Sequence, residues 1–395
     1  MNASNNANKK IGQLTYHAGN FGSILQCYAT QKIFESCGYS VDLILIDDPF
    51  LVKVFHALKR RLQLIFKTIR YPKYSKEILR LYKNAVVSNR GNNLGTSSIE
   101  QMKLFERNYI RTSKLTSSKI KSISQTNEYC CFISGSDQIW SYSFPIPDEN
   151  YYLRFSPKKK RIAFAPSFGT ERIYPYNQKQ IHKYLSQYAM LSIREPSGAN
   201  IIRQMLKRDC AVLDDPVLQI DKSFWQQIIS QAKTQNIGEY ICTFFIDEPS
   251  ETVKKQIQTI TEKLNIEVVN FGYHRDFGKH VDGGPAEFLS IIQNAQLLLT
   301  DSFHAMAFSI VLHTKAYAFK RNYHHGADQS TRIIELLERC DLVDRFIQEG
   351  KILSKDEILS QSFITADECF DNIRKKSKDY INGIGKYLEK NDCIF

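Results

Sequence analysis

Four stretches of this sequence collect residue types that hold anions or move protons. The first is "LLLTDSFHAMAFSIVLH", Leu297–His313, where an apolar run ends in Thr-Asp-Ser and a single histidine opens a second apolar run. Ser302 or Asp301 is a natural helix N-cap, which sets His304 in the first helical turn. Such a start combines unpaired N–H groups, the positive end of the helix dipole, a hydroxyl and an imidazole. It suits an anion, and it equally suits a plain cap. Lys320 and Arg321, which follow the next strand-like run, would add positive charge to the same place.

The second stretch, "FISGSDQIW" (Phe132–Trp140), runs from a buried strand into a polar turn. Asp137 there can accept a hydrogen bond from a sugar hydroxyl or act as a base, with Trp140 close behind. The alternative is that Ser136 or Asp137 only caps the next helix. In the third, "SIREPSGANIIRQML", Arg194 stands at a strand end, where its forked donors fit a carboxylate or phosphate. The same arginine also suits an internal pair with Glu195 or Asp215. The fourth, "HAGNFGSILQCYATQKIFESCGYSVDLI", holds a tight turn at Gly19, Asn20, Phe21 and Gly22 ahead of a helix. It is neither a GxGxxG fingerprint nor a GxxxxGK[ST] loop, so neither a nicotinamide nor an ATP site follows from it.

These stretches need elements to position them. Short apolar runs ending in Gly, Ser, Asp or Pro recur at Val41–Asp47, Tyr129–Gly135, Arg161–Ser167, Ala189–Glu195 and Cys210–Pro216, then at Glu239–Ile246, Ile266–Gly272, Ala295–Asp301 and Lys315–Lys320. Runs of this kind read as strands of parallel sheets buried on both faces. Alternation with helical stretches predicts an α/β chain with two doubly wound, Rossmann-like domains facing a cleft. The stretch "DKSFWQQIISQAKTQNIG" reads as the linker, giving domains over 1–225 and 226–395, with one more helix over 367–389. Ligands are expected where strands end and helices begin.

The chain has 395 residues and a formal charge of +12, which favours anionic partners. From Lys53 to Lys83, ten Lys/Arg stand against one acid, Glu77. Phe55, Leu58, Leu62, Ile65 and Ile69 recur there at steps of three and four, so an insertion over 51–83 reads as a basic amphipathic helix. Its stripe either packs on the domain or docks on an anionic membrane surface. No nucleic-acid module is recognisable. The N-terminal "MNASNNANKK" reads as a flexible leader on a cytoplasmic protein. Nine scattered cysteines with no CxxC pair agree with that compartment, and His324 and His325 lack a carboxylate cluster, so no metal is expected.

In order along the chain, "GNFGSILQCYATQKIFESCGY", "FISGSDQIW", "RIAFAPSFGT", "LSIREPSG", "VLDDPVLQI", "GPAEFLSIIQNAQLLLTDSFHAMAFSIVLH" and "RIIELLERCDLVDRF" resemble the polysaccharide pyruvyl transferase family. The resemblance implies a fold like that of two-domain GT-B glycosyltransferases. It also implies transfer of an enolpyruvyl group from phosphoenolpyruvate to sugar hydroxyls, giving a cyclic ketal on a surface glycan, with no further cofactor. His304 then matches the family's key histidine, and Ser302 and Phe303 its donor-contacting segment. Some members carry arginine in place of Ser302, which leaves Arg194, in a "VRE"-like motif, as the main alternative donor cation, with Lys320 and Arg321 beside it. From position in the sequence rather than from the resemblance, Asp137 is assigned with His304 to proton transfer, Lys320 to the donor, and Asn20 and Trp140 to the acceptor, which is free or lipid-linked at the inner membrane face. A GT-B glycosyltransferase using a nucleotide-sugar and a non-catalytic glycan-binding relative are the competing readings.

Overall fold

Apolar runs bounded by turn formers become two parallel sheets. The computed structural model describes residues 9–88, 94–141, 145–233, 237–273, 277–322, 330–391 and 393. His324, His325 and all of the polar leader before Lys9 lie outside the described residues. The first sheet contains β1 (Lys10–Leu14), β2 (Ser40–Ile46), β3 (Thr112–Leu115), β4 (Cys131–Ser134) and β5 (Arg161–Ala163) in the order β3-β2-β1-β4-β5. β6 (Ser192–Ile193) and β7 (Ala211–Val212) pair beside it, reached through a bridge from Ile162 to Met190. The second sheet contains β8 (Tyr240–Phe244), β9 (Glu267–Phe271), β10 (Lys279–Val281), β11 (Leu297–Thr300), β12 (Ala316–Phe319) and β13 (Phe346–Ile347), in the order β10-β9-β8-β11-β12-β13. β8, β11 and β12 are buried along their whole length, which is why they read as continuous apolar runs.

The central strand β1 hides from a hydropathy reading because it carries Gly12 and Gln13. Both have reasons to be inside. A Cβ on Gly12 would lie 2.6 Å from the Phe132 ring. The Gln13 amide donates to the Gly135 carbonyl at 2.9 Å.

Strand order fixes where a ligand can sit. Each sheet reverses its winding at one place, between β1 and β4 in the first and between β8 and β11 in the second. Crevices open at the carboxyl ends of such strand pairs. After β1 comes the helix α1 (Phe21–Ser36), and after β11 comes the helix Phe303–Leu312. The two crevices face each other.

Two expected elements take another form. The linker stretch is itself folded: Lys222–Ile229 is helical, and buried Trp225 packs 5.8 Å from the Tyr28 ring and 4.9 Å from the Phe308 ring. The basic insertion is two helices, α2 (Phe50–Arg70) and α3 (Ser75–Ser88), because Pro72 stops the first one. The final helix, Ile364–Lys390, returns to the first sheet, where Tyr380 donates its O–H to the Ala163 carbonyl at 2.9 Å. Among the described residues no helix is long and apolar enough to cross a membrane, and all nine cysteines are free thiols.

Candidate active site between the two sheets

Two helix starts meet here. Asn20 Oδ1 accepts the Ser23 N–H at 2.7 Å and caps α1. Ser302 Oγ accepts the Ala305 N–H at 3.4 Å and caps the Phe303 helix, while Thr300 Oγ1 accepts the Ser302 N–H at 3.0 Å. The two first turns touch at Gly22, where an added Cβ would lie 2.1 Å from His304 Nδ1. Glycine is therefore required for closeness at this point, not for an unusual φ. Phe21 anchors the contact: its ring stacks on Phe288 at 5.1 Å and lies 5.3 Å from Phe271. Tyr273 also donates to the Gly19 carbonyl at 3.2 Å. The resulting cleft, about 160 Å³, is lined by Asn20, Gly22, Asp137, Ser302, His304 and Arg321 among others.

Behind the histidine lies a buried charge relay. His304 Nε2 is 3.5 Å from Asp215 Oδ2, and Arg194 Nη1 reaches the same oxygen at 2.5 Å. Asp215 Oδ1 accepts the Val217 N–H at 3.1 Å, so the loop after β7 aims this carboxylate. Burial opposes its charge, but His304, Arg194 and that N–H outweigh the burial and hold its pKa well below the usual carboxylate range. Burial likewise opposes the Arg194 charge, and Glu195 and Asp215 overcome it, raising its pKa further. Asp215 faces the His304 ring from its Nε2 side, and Nδ1 lies on the Gly22 side.

Two further carboxylates shape the walls. Asp137 sits in a left-handed conformation at φ 66°, which Asp tolerates better than most residues. Its Oδ2 accepts the Ser23 hydroxyl at 2.6 Å and its Oδ1 the Gln138 N–H at 2.7 Å, tying β4 to α1. Asp301 accepts the N–H groups of Ile246 at 2.7 Å and Asp247 at 3.1 Å, joining the ends of β8 and β11. It also holds Arg321, whose Nε lies 3.2 Å from Oδ2. Phe303 faces two guanidiniums, with Arg194 Cζ 5.0 Å and Arg332 Cζ 5.4 Å from its ring centre.

The structure thus brings Asn20, Asp137, Ser302, Phe303, His304 and Arg321 around one cleft. It sets three expected residues elsewhere. Arg194, expected on the donor, is 2% exposed and paired with Glu195 and Asp215, the internal pairing that the sequence offered as its alternative. Trp140, expected on the acceptor, is 1% exposed, stacked on Tyr152 with its indole N–H on the Tyr151 carbonyl. The turn after β4 directs it into the core. Lys320 is exposed outside the cleft lining. Sequence reasoning missed Tyr273 and Arg332 as lining residues, and saw Asp215 only as a partner for Arg194. The "DDP" triplet was the available signal, since an acid before proline caps a helix and can aim its second oxygen elsewhere.

Comparison with known proteins agrees with this arrangement. The fold is similar to that of a protein assigned as UDP-N-acetylglucosamine 2-epimerase from Listeria monocytogenes, at 8% identity and TM-score 0.50, over 96% of this chain and 96% of that one. It is similar to S. aureus MnaA, solved with UDP, at 10% identity and TM-score 0.50, over 96% and 97% of the two chains. At these identities the likeness shows the fold, two facing Rossmann-like domains in the GT-B arrangement. No curated protein sequence matches the chain. The polysaccharide pyruvyl transferase family model matches residues 20–323, a span that runs from the cap of α1 through both faces of the cleft to Arg321, and the chain belongs to that family.

Proposed function

We propose that the protein transfers an enolpyruvyl group from phosphoenolpyruvate to sugar hydroxyls of a surface polysaccharide or its lipid-linked precursor, forming a pyruvate ketal. The observation that carries this reading is the convergence of two capped helix starts on a small cleft holding His304, Arg321 and Arg332. A small trianion needs N–H groups and cations at short range, without a large apolar shelf. Phe21, Phe244, Tyr273, Phe288 and Phe303 also line the cleft, so a nucleotide-sugar is the competing donor that the ligand experiment below separates.

The chemistry asks for one proton at carbon and one from each hydroxyl. His304, protonated and steadied by Asp215, gives a proton to the methylene carbon of phosphoenolpyruvate. The adjacent carbon becomes oxocarbenium-like, and one sugar hydroxyl adds to it, losing its proton to Asp137 or to the now neutral His304. Cleavage of the carbon–oxygen bond releases phosphate and regenerates the cationic carbon. The second hydroxyl then closes the ring, and its proton leaves with phosphate. Arg321, Arg332 and the helix starts stabilise the charge that develops on the leaving group.

Thermal unfolding with phosphoenolpyruvate or UDP-sugars tests the donor. Phosphoenolpyruvate at about a hundred times its dissociation constant should add ~2.7 kcal/mol of stability. Stabilisation by a UDP-sugar alone would replace this reading with a glycosyltransferase. Phosphate release that depends on a glycan acceptor, together with a new ketal methyl resonance in the product, is the expected result for the reaction itself.

A further inference from the structure

The helix α2 is attached to the protein by its polar side. Lys67 is buried and donates to the Pro145 carbonyl at 2.9 Å, to Gln180 Oε1 at 3.3 Å and to Asn177 Oδ1. On the same face Lys53 pairs with Asp47 at 2.8 Å, His56 lies 3.8 Å from Asp48, and Arg60 pairs with Asp148. The stripe of Leu51, Phe55, Leu58, Leu62, Ile65 and Ile69 points away from the body. Leu51 is 79%, Leu62 68% and Ile69 73% exposed. An ordinary surface helix does the reverse.

We propose that α2 docks the protein on an anionic lipid bilayer, lying in the plane of the headgroups with this stripe inserted. The charge pattern selects that occupant. The helix carries six cations and no carboxylate. Lys53, Arg60 and Lys67 are engaged on the body side, while at 100° per residue Arg70 and Lys59, the latter 3.6 Å from Glu149, fall on one flank of the stripe and Arg61 on the other. A second copy packed on the same face would set these cations against their own counterparts, whereas anionic headgroups complement them. The helix is about 31 Å long, enough for an extended contact parallel to the surface. The groove beneath α2 shares Asp148 and Asn150 with a hollow reaching Thr15 and His17 at the end of β1, so docking brings the bilayer to the first domain's side of the cleft. The inference does not depend on the donor.

The test is co-sedimentation of the full chain with vesicles of equal parts phosphatidylcholine and phosphatidylglycerol, against phosphatidylcholine alone, beside a measurement of mass in solution. Binding to the anionic vesicles only, weakened by salt, is expected. The triple variant Leu58→Glu, Leu62→Glu, Ile65→Glu changes exposed side chains and should keep its melting temperature while losing at least about tenfold in binding. Charge removal at Lys59, Arg61 and Arg70 should weaken binding about fivefold per cation. Leu62→Trp should show a blue-shifted emission on anionic vesicles. Wild-type protein left in the supernatant, or a dimer that the triple variant dissociates, would overturn the proposal.

Discussion

The Phe303 helix and α2 are opposite departures from the usual surface helix. In the first, every residue except His304 is buried, and the one polar residue past the start, Ser309, turns its hydroxyl back onto the Met306 carbonyl. In the second, only Leu64 and Lys67 of 21 residues are buried. One helix has no solvated face; the other has its apolar face in the solvent. Helix patterning normally reports where the core lies. Each exception is where a proposal above places something other than the core: the donor at one N-terminus, a lipid surface along one stripe.

That contrast can be broken most directly at His304. His304→Ala should lower kcat by roughly 100- to 10,000-fold and also cost on the order of 1–3 kcal/mol of stability, because the ring packs on Gly22 and partners the buried Asp215. An equal loss of fold and activity would make it a structural histidine. Phe21→Ala attacks the packing that brings the two helix starts together and should cost about 3–5 kcal/mol in urea unfolding. Arg321→Ala should raise the KM for phosphoenolpyruvate by about 10- to 100-fold with a smaller change in kcat, the loss expected for a charge-assisted hydrogen bond. A change in kcat alone would instead place Arg321 on the transition state.

The last prediction concerns the anchor of α2. Burial pushes the Lys67 ammonium down to about 8, against 10.5 when unfolded. Between those values the unfolded chain holds the proton and the folded one does not, so stability rises with pH across that window and is lower below it. Unfolding free energies from urea titrations at either end of the window should differ by at most about 3 kcal/mol, and Lys67→Met should remove the difference.

The sequence displayed the alternation of strands and helices because parallel strands buried on both faces are apolar throughout. β1 escaped because Gln13 and Gly12 answer to neighbours far along the chain. Ser302 and His304 were legible because a cap and a first-turn residue are local features. For Arg194 the sequence offered both a donor contact and a pair with Glu195 or Asp215, and could not choose because the second carboxylate lies 21 residues later. The burial of Trp140 was not legible, since it depends on which way a turn faces. The stripe of α2 was plain, but the side on which the body lies was set by Lys67 and its acceptors, which no periodicity reveals.

The helix that returns from the second half to the first has a consequence for synthesis. Ser377 donates to Gln219 Oε1 at 2.5 Å, and Tyr380 closes on Ala163. The first domain therefore leaves the ribosome with an apolar seat for Phe370, Ile373 and Ile381 still empty. At about 5–20 residues per second, it waits on the order of ten seconds for its last piece. During that interval the nascent chain presents a sticky groove to chaperones and to its neighbours on the polysome, and the final helix is the element whose arrival ends that exposure.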